Sequence, residues 1–225
     1  MTQDLSQNYA DPAIAGRQRQ VVERELADMY RGKICRFYRV VGDVINRIRK
    51  EETGWTSATL LDIACGSAYY SEVIEFLSPG WVDYMGIDYN PGMVALAHKY
   101  YPGVQVEQGD ILDIQSKSDA FDIVLSGATI GHVYDWPGAV RELARVTKTW
   151  LILHRTPVWV DKDGITEQIV RRDYGADVIV TRFRRWDLVD RVTSLGMELI
   201  EAYETNPPDD IEETYTYLFR KGLGE

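Results

Sequence analysis

The sequence predicts an α/β fold built on a mostly parallel sheet with helices on both faces, and three observations carry that reading. Apolar runs of strand length, LLDIA, FDIVL and WLIL, are separated by helical stripes, the alternation that builds parallel sheets. Each run is continuously apolar rather than alternating, which suits strands covered on both sides. A chain of 225 residues, 45% of them hydrophobic, is long enough for one domain that removes roughly 70% or more of its unfolded surface from water.

Within a single domain over 1–225, residues 1–54 read as a helical cap. After a polar leader, Val21, Val22, Leu26, Met29 and Tyr30 fall at helical spacing. Ile34, Phe37, Tyr38, Val41, Val44, Ile45 and Ile48 form a second stripe, with an interruption near Gly32 and a stop at Thr53-Gly54. Residues 58–155 hold the alternating core. A strand is expected at 59–64, a helix through Tyr70, Val73, Ile74 and Leu77, a strand at 81–88, a helix from Pro91 and a strand at 104–108. A strand at 121–126, a helix at 136–146 and a strand at 150–154 complete it. In residues 156–225 the pattern changes to a hairpin, 168–172 and 177–183 around Tyr174-Gly175. A helix at 186–195 closed by Gly196 follows, then two late strands, 197–204 and 214–219, joined by the turn-rich NPPDD.

Composition narrows the function classes. No stretch approaches the ~18 consecutive apolar residues of a membrane span, and the first residues, MTQDLSQNYADPA, lack the basic start and apolar run of a signal peptide. The expectation is a cytoplasmic protein without membrane partners. Two cysteines, Cys35 and Cys65, and three histidines, His98, His132 and His154, show no metal-ligand spacing. A net charge of -10 argues against a general nucleic-acid surface, which needs concentrated positive charge. Residues 17–50 nevertheless hold ten Lys or Arg against four acids. That excess is either a solvated helix face or a site for an anionic acceptor.

The chemistry concentrates in LLDIACGSA, residues 60–68, at the junction of the first core strand and its helix. There the chain must turn sharply and let a ligand approach its backbone, and the following helix offers amide groups to an anion. Asp88, in YMGIDYNPGM, lies 22 residues past Gly66 at the end of the next strand, where a ribose-binding carboxylate belongs in this kind of fold.

These residues resemble the class I S-adenosylmethionine-dependent methyltransferases. Asp62-Cys65-Gly66, Asp88, Gly109-Asp110-Ile111 and Phe121-Asp122-Ile123-Val124 stand in that family's order and spacing, and ELARVTK followed by WLIL resembles its approach to the fifth strand. The resemblance covers about residues 58–155 well and the remainder loosely. It implies a Rossmann-like methyltransferase fold with a seven-stranded sheet, and S-adenosylmethionine as cofactor. It places Asp62, Ala64, Cys65 and Gly66 against the methionine end, and Asp88 with Tyr89 at the ribose. Asp110 and Ile111 fall at the adenine, and Ser126 and Gly127 on the floor beside the sulfonium. Two of the family's motif glycines are Ala64 and Ala68 here, and its Gly-Gly before the fifth strand is Thr149-Trp150. A methyl at Ala68 would crowd the cofactor or resist a positive φ.

Methyl transfer asks for in-line alignment more than for side-chain chemistry, with a base only where the acceptor is not already nucleophilic. In SGATIGHVYDW, after the fourth core strand, His132 is the candidate general base, since an imidazole suits deprotonation of a hydroxyl or an ammonium. The alternative is a structural histidine. Tyr134 and Tyr9 are further candidates, and Arg17, Arg19 and Arg24 would hold a carboxylate or phosphate on the acceptor. The leader, with NYADPAIAG, would then be a lid. The leading expectation is methyl transfer to an oxygen or nitrogen of a small molecule. A catalytically silent partner domain of the same fold is the alternative. A nicotinamide oxidoreductase is disfavoured, because G-x-G-x-x-G is absent from the sequence. Two other patterns are decoys. Asn206-Pro207-Pro208 resembles a nucleic-acid methyltransferase motif but follows the wrong strand, and Tyr217 and Lys221 resemble a dehydrogenase pair but fall on a predicted strand, ~13 Å apart.

Overall fold

The computed structural model describes residues 5, 8–9, 11–159, 165–173, 175–206 and 212–222. Helix α1 (Pro12–Tyr30) starts earlier than its hydrophobic stripe suggests. Asp11 caps it, accepting from the Ala13 amide at 2.8 Å, and Pro12 fills a first-turn position that needs no donor. The last five residues of the expected leader, 12–16, are therefore helix, with Ile14 and Ala15 buried beside Met93. Helix α2 (Arg36–Glu51) buries Tyr38, Val41, Val44, Ile45 and Ile48, the stripe read from its spacing.

The core alternates as expected through β1 (Ala58–Ile63), α3 (Tyr69–Leu77), β2 (Val82–Asp88), α4 (Pro91–Tyr100), β3 (Gln105–Gln108) and β4 (Phe121–Gly127). A 3-10 turn at Ile130–His132, α5 (Trp136–Val146) and β5 (Thr147–Trp159) follow. The hairpin is β6 (Glu167–Asp173) with β7 (Ala176–Arg182), and α6 (Arg185–Thr193), β8 (Met197–Asn206) and β9 (Glu212–Lys221) close the order. Gly196 takes φ +82° after α6, the left-handed conformation of a helix terminator. The turn expected at NPPDD and Tyr174 of the hairpin lie outside the described residues. Tyr217 and Lys221 do share a strand, β9.

Seven strands pair in the order β3-β2-β1-β4-β5-β9-β8. β1 to β5 run parallel, whereas β9 is antiparallel to both β5 and β8. Side chains of α1, α2 and α3 cover one face, around Leu60, Ile123, Leu125, Trp150 and Ile152, and α4 packs beside them through Ala97 against Cys65, Ala68 and Val106. Side chains of α5 and α6 cover the other face, around Leu61, Val124, Leu151 and Leu153. Neighbouring strand residues thus enter opposite cores. β6 and β7 form a separate two-stranded sheet, attached to β5 through the Val158–Phe183 bridge.

β5 runs past Pro157, where the sequence pattern suggests a stop. The strand accommodates this by a register shift against β9 between Leu153 and Thr156, with Arg155 at φ +55°. Such bulges bend a strand and re-aim a side chain. Among the described residues no helix is long and apolar enough to cross a membrane.

Candidate active site

The order reverses between β1 and β4, and at that point a sheet of this kind opens a crevice beyond its strand ends. A cavity of about 730 Å³ lies there, lined at the end of β1 and the loop after it by Ile63, Ala64, Cys65 and Gly66 and at the end of β2 by Ile87, Asp88 and the following Tyr89. Gly109, Asp110, Ile111, Gly127 and His132 line it too. The structure thus brings together most of the residues singled out in the sequence.

Asp88 is the best-defined group. It is 8% exposed, and each carboxylate oxygen accepts one backbone N–H, Oδ2 from Gly66 and Oδ1 from Asn90, both at 2.8 Å. Burial pushes its pKa up to about 6, against the pull of those two amides. Asn90 also caps α4 through Gly92 at 2.7 Å, and its Nδ2 donates to the carbonyls of Tyr9 and Asp11. One asparagine therefore joins the β2 carboxylate to the segment that enters α1.

Ala64, Gly66 and Ala68 have φ of +58°, +59° and +59°. The loop keeps a left-handed, glycine-like path through its alanines, so the expectation that Ala68 resists positive φ is corrected. Left-handed backbone costs an L-residue roughly 1–2 kcal/mol, while glycine loses about 0.4–1 kcal/mol through its freer unfolded chain. At Ala68, fully buried beside Cys65, Ala97 and Val106, deleting the methyl forfeits a further ~0.8 kcal/mol of burial, and Ala68→Gly should be close to neutral. Ala64 is half-buried at the cavity edge and lacks that penalty. We expect Ala64→Gly to stabilise the fold by about 0.5–1 kcal/mol, raising the melting temperature by roughly 1–4 °C. Calorimetric scans of both variants check this, and a destabilised Ala64→Gly contradicts it.

Three expected residues stand apart from the cavity lining. Asp62 is fully enclosed, takes a 2.6 Å hydrogen bond from the Tyr84 hydroxyl, and is pushed up to about 7 by burial, with Asp88 adding to the rise. Ser126, 1% exposed, alternates along β4 to the face of Val124, while Gly127 turns to the cavity. Tyr134 is 39% exposed, and its carbonyl accepts from Gln168 at 2.9 Å. His132, by contrast, lines the cavity, with the Tyr9 ring 5.5 Å away. Its Nδ1 sits 2.9 Å from the Ile179 carbonyl. Because a carbonyl only accepts, Nδ1 must carry the proton, and Nε2 is the basic nitrogen.

The arginine expectation is corrected. Arg19 lies 3.8 Å over the Tyr100 ring and bonds Tyr101 at 3.1 Å, Glu23 at 3.3 Å and Ser67 at 3.4 Å, fastening α1 to the end of α4. Neither it nor Arg17 nor Arg24 lines the cavity; Arg155 and Arg171 do. Sequence reasoning missed both of these, together with Gln18, Glu25, Tyr69 and Tyr70. Glu25 accepts from the Tyr38 hydroxyl at 3.1 Å, and burial raises its carboxyl. Tyr70 packs so close over Gly127 that a Cβ there would meet its ring at 3.0 Å. Of these, Tyr69 and Tyr70 carried a usable signal, since they directly follow the loop alanine at the start of a helix.

The cavity suits S-adenosylmethionine. It offers a carboxylate held for two hydroxyls, a tight loop with glycine at its centre, and a buried carboxamide oxygen of Gln18 with no hydrogen-bond partner among the described residues. Comparisons agree. Residues 61–150 match the family model of a methyltransferase domain. A protein of Mycobacterium tuberculosis, named as a probable S-adenosylmethionine-dependent methyltransferase, is 28% identical over 103 residues, 45% of this chain and 36% of that one. The chain spans between 34% and 46% of the length of the curated relatives it matches. Among solved structures, an S-adenosylmethionine-dependent methyltransferase of Methanosarcina mazei superposes with a TM-score of 0.61 at 17% identity, covering 75% of this chain and 94% of that one. The cyclase SpnF superposes at 0.64 with 14% identity, covering 81% of each chain. At such identities the likeness is one of fold.

Proposed function

We propose, from the premise that residues 61–150 form a class I S-adenosylmethionine-dependent methyltransferase domain, that this protein transfers a methyl group to an oxygen or nitrogen of a small-molecule acceptor. The observation that supports the cofactor in this reading is Asp88, a buried carboxylate fixed by two backbone amides and lining the strand-end crevice. Each of its oxygens keeps a lone pair for a ribose hydroxyl. S-adenosylmethionine, when bound, supplies an electrophilic methyl.

The chain's own residues do the rest. Asp88 holds the ribose, Gly66 lies against the methionine end, and Asp110 and Ile111, which line the same cavity, meet the adenine. Gly127, with Tyr70 packed over it, narrows the space beside the strand end, so that the acceptor is confined in its approach. His132, protonated at Nδ1 by its bond to Ile179, takes the acceptor's proton at Nε2. Val21, Val22 and Tyr69 line the same cavity as Glu25, Arg155 and Arg171, a mix of apolar and ionisable groups that suits a small organic molecule bearing an ionised group.

Titration calorimetry separates this reading from its rivals. The purified protein should bind S-adenosylhomocysteine one-to-one and leave NAD unbound. NAD binding without S-adenosylhomocysteine binding would replace the reading with an oxidoreductase, binding of neither would favour a silent domain without cofactor, and binding without turnover of any acceptor a silent domain that keeps it.

A further inference from the structure

We infer that Gln18, on α1, is a ligand of the amino-acid end of the cofactor, so that the N-terminal helix supplies part of the site otherwise built at the sheet edge. This rests on the methyltransferase reading above. The carboxamide of Gln18 lies directly across Gly66: a Cβ on that glycine would stand 3.0 Å from Oε1 and 3.1 Å from Nε2. Gly66, at φ +59°, is thus hemmed in by a polar group from a helix 48 residues earlier in the sequence. Gln18 Oε1 is buried and has no hydrogen-bond partner among the described residues. A buried amide oxygen without a donor is costly, and its persistence asks for an explanation.

The position of Gln18 is held from both sides. Ile14 and Ala15, one turn earlier, are buried beside Met93 of α4. Arg19, the next residue, is anchored to Tyr100, Tyr101 and Ser67. The carboxamide is therefore set over the loop by packing that does not involve it.

Its chemistry matches what an amino acid presents. An α-ammonium group only donates and an α-carboxylate only accepts, while a carboxamide offers one acceptor and one donor group on a single plane. Oε1 would accept a hydrogen bond from the ammonium and Nε2 would donate one to the carboxylate. Asp88, which accepts from the Gly66 amide, serves the ribose, so Gln18 and Asp88 divide the ligand between them.

That division is what the experiment reads. S-adenosylhomocysteine carries the amino-acid end, and methylthioadenosine is the same nucleoside thioether without it. By calorimetry, Gln18→Leu should weaken S-adenosylhomocysteine about tenfold or more, the scale of a lost hydrogen bond to a charged group, and leave methylthioadenosine within about twofold. Asp88→Ala should weaken both. The melting temperature of Gln18→Leu should not fall, because the change removes a buried group that lacks a partner. Unchanged S-adenosylhomocysteine affinity in Gln18→Leu overturns the inference alone. Equal weakening of both ligands also overturns it, by making Gln18 a packing residue. If the unmodified protein binds neither ligand, the methyltransferase reading itself fails.

Discussion

Replacing Asp88 by alanine should weaken S-adenosylhomocysteine binding by roughly 2–3 kcal/mol, the scale of charge-assisted hydrogen bonds to two hydroxyls. That is about thirty- to over a hundredfold in dissociation constant. The effect is large because the carboxylate is already oriented: amides of Gly66 and Asn90 hold its two oxygens at 2.8 Å each, so little is spent on ordering it when a ligand arrives. The pH dependence follows from the same geometry. In the ligand-free fold burial lifts Asp88 to about 6, above the ~3.9 of an unfolded aspartate. Its contribution to fold stability is therefore fully present below about pH 3.9 and is lost as pH rises through about 6. A ligand that donates to the carboxylate favours the charged form. Affinity should accordingly fall as the solution is acidified through pH 6, and that slope should vanish in Asp88→Asn. Calorimetry across pH 5–8 checks both limbs, and a variant that binds as the parent does removes the assignment.

His132→Ala should lower turnover by about a hundredfold or more while cofactor affinity stays intact, as expected when general-base assistance is lost from an otherwise aligned reaction. The bond from Nδ1 to Ile179 sets the tautomer, and it also ties the 3-10 turn to β7. A histidine with only that tie would show itself differently, as a drop in melting temperature with parallel losses of cofactor binding and turnover. The two outcomes are separated by measuring affinity and rate on the same preparation. Raising the pH should restore part of the rate in the alanine variant if the acceptor can lose its proton to solvent.

Much of the core was legible because its signals are local. LLDIACGSA and the aspartate 22 residues after its glycine state a turn and a strand end in adjacent residues, and the structure places Gly66 and Asp88 in direct hydrogen-bond contact. The start of α1 was also written locally, as Asp11-Pro12, but the apolar stripe begins later and drew attention away from it. What was not legible depends on contacts distant in sequence. Nothing near Arg155 announces that β5 will bulge against β9 and turn that side chain to the cavity. Arg19 reads in the sequence as a candidate for an anionic acceptor, and only its distant partners Tyr100 and Tyr101 show it to be a fastening residue. Ser126 and Gly127 were read together as floor, although strand alternation sends them to opposite faces.

The placement of β9 carries a consequence for how the molecule assembles. It fills the slot between β5 and β8, so β8 joins the sheet only through a strand that follows it in the chain. β5 and β9 are separated by the whole hairpin and α6, and closing a loop of that length precedes any gain from pairing. Until β9 arrives, β5 presents an open edge that includes Trp150, Leu151, Ile152 and Leu153, all fully buried in the finished fold. A long apolar edge of this kind is a template for pairing with other chains. The slow step in refolding should therefore be docking of the β8–β9 pair onto β5, checked by whether refolding slows and aggregation rises with protein concentration.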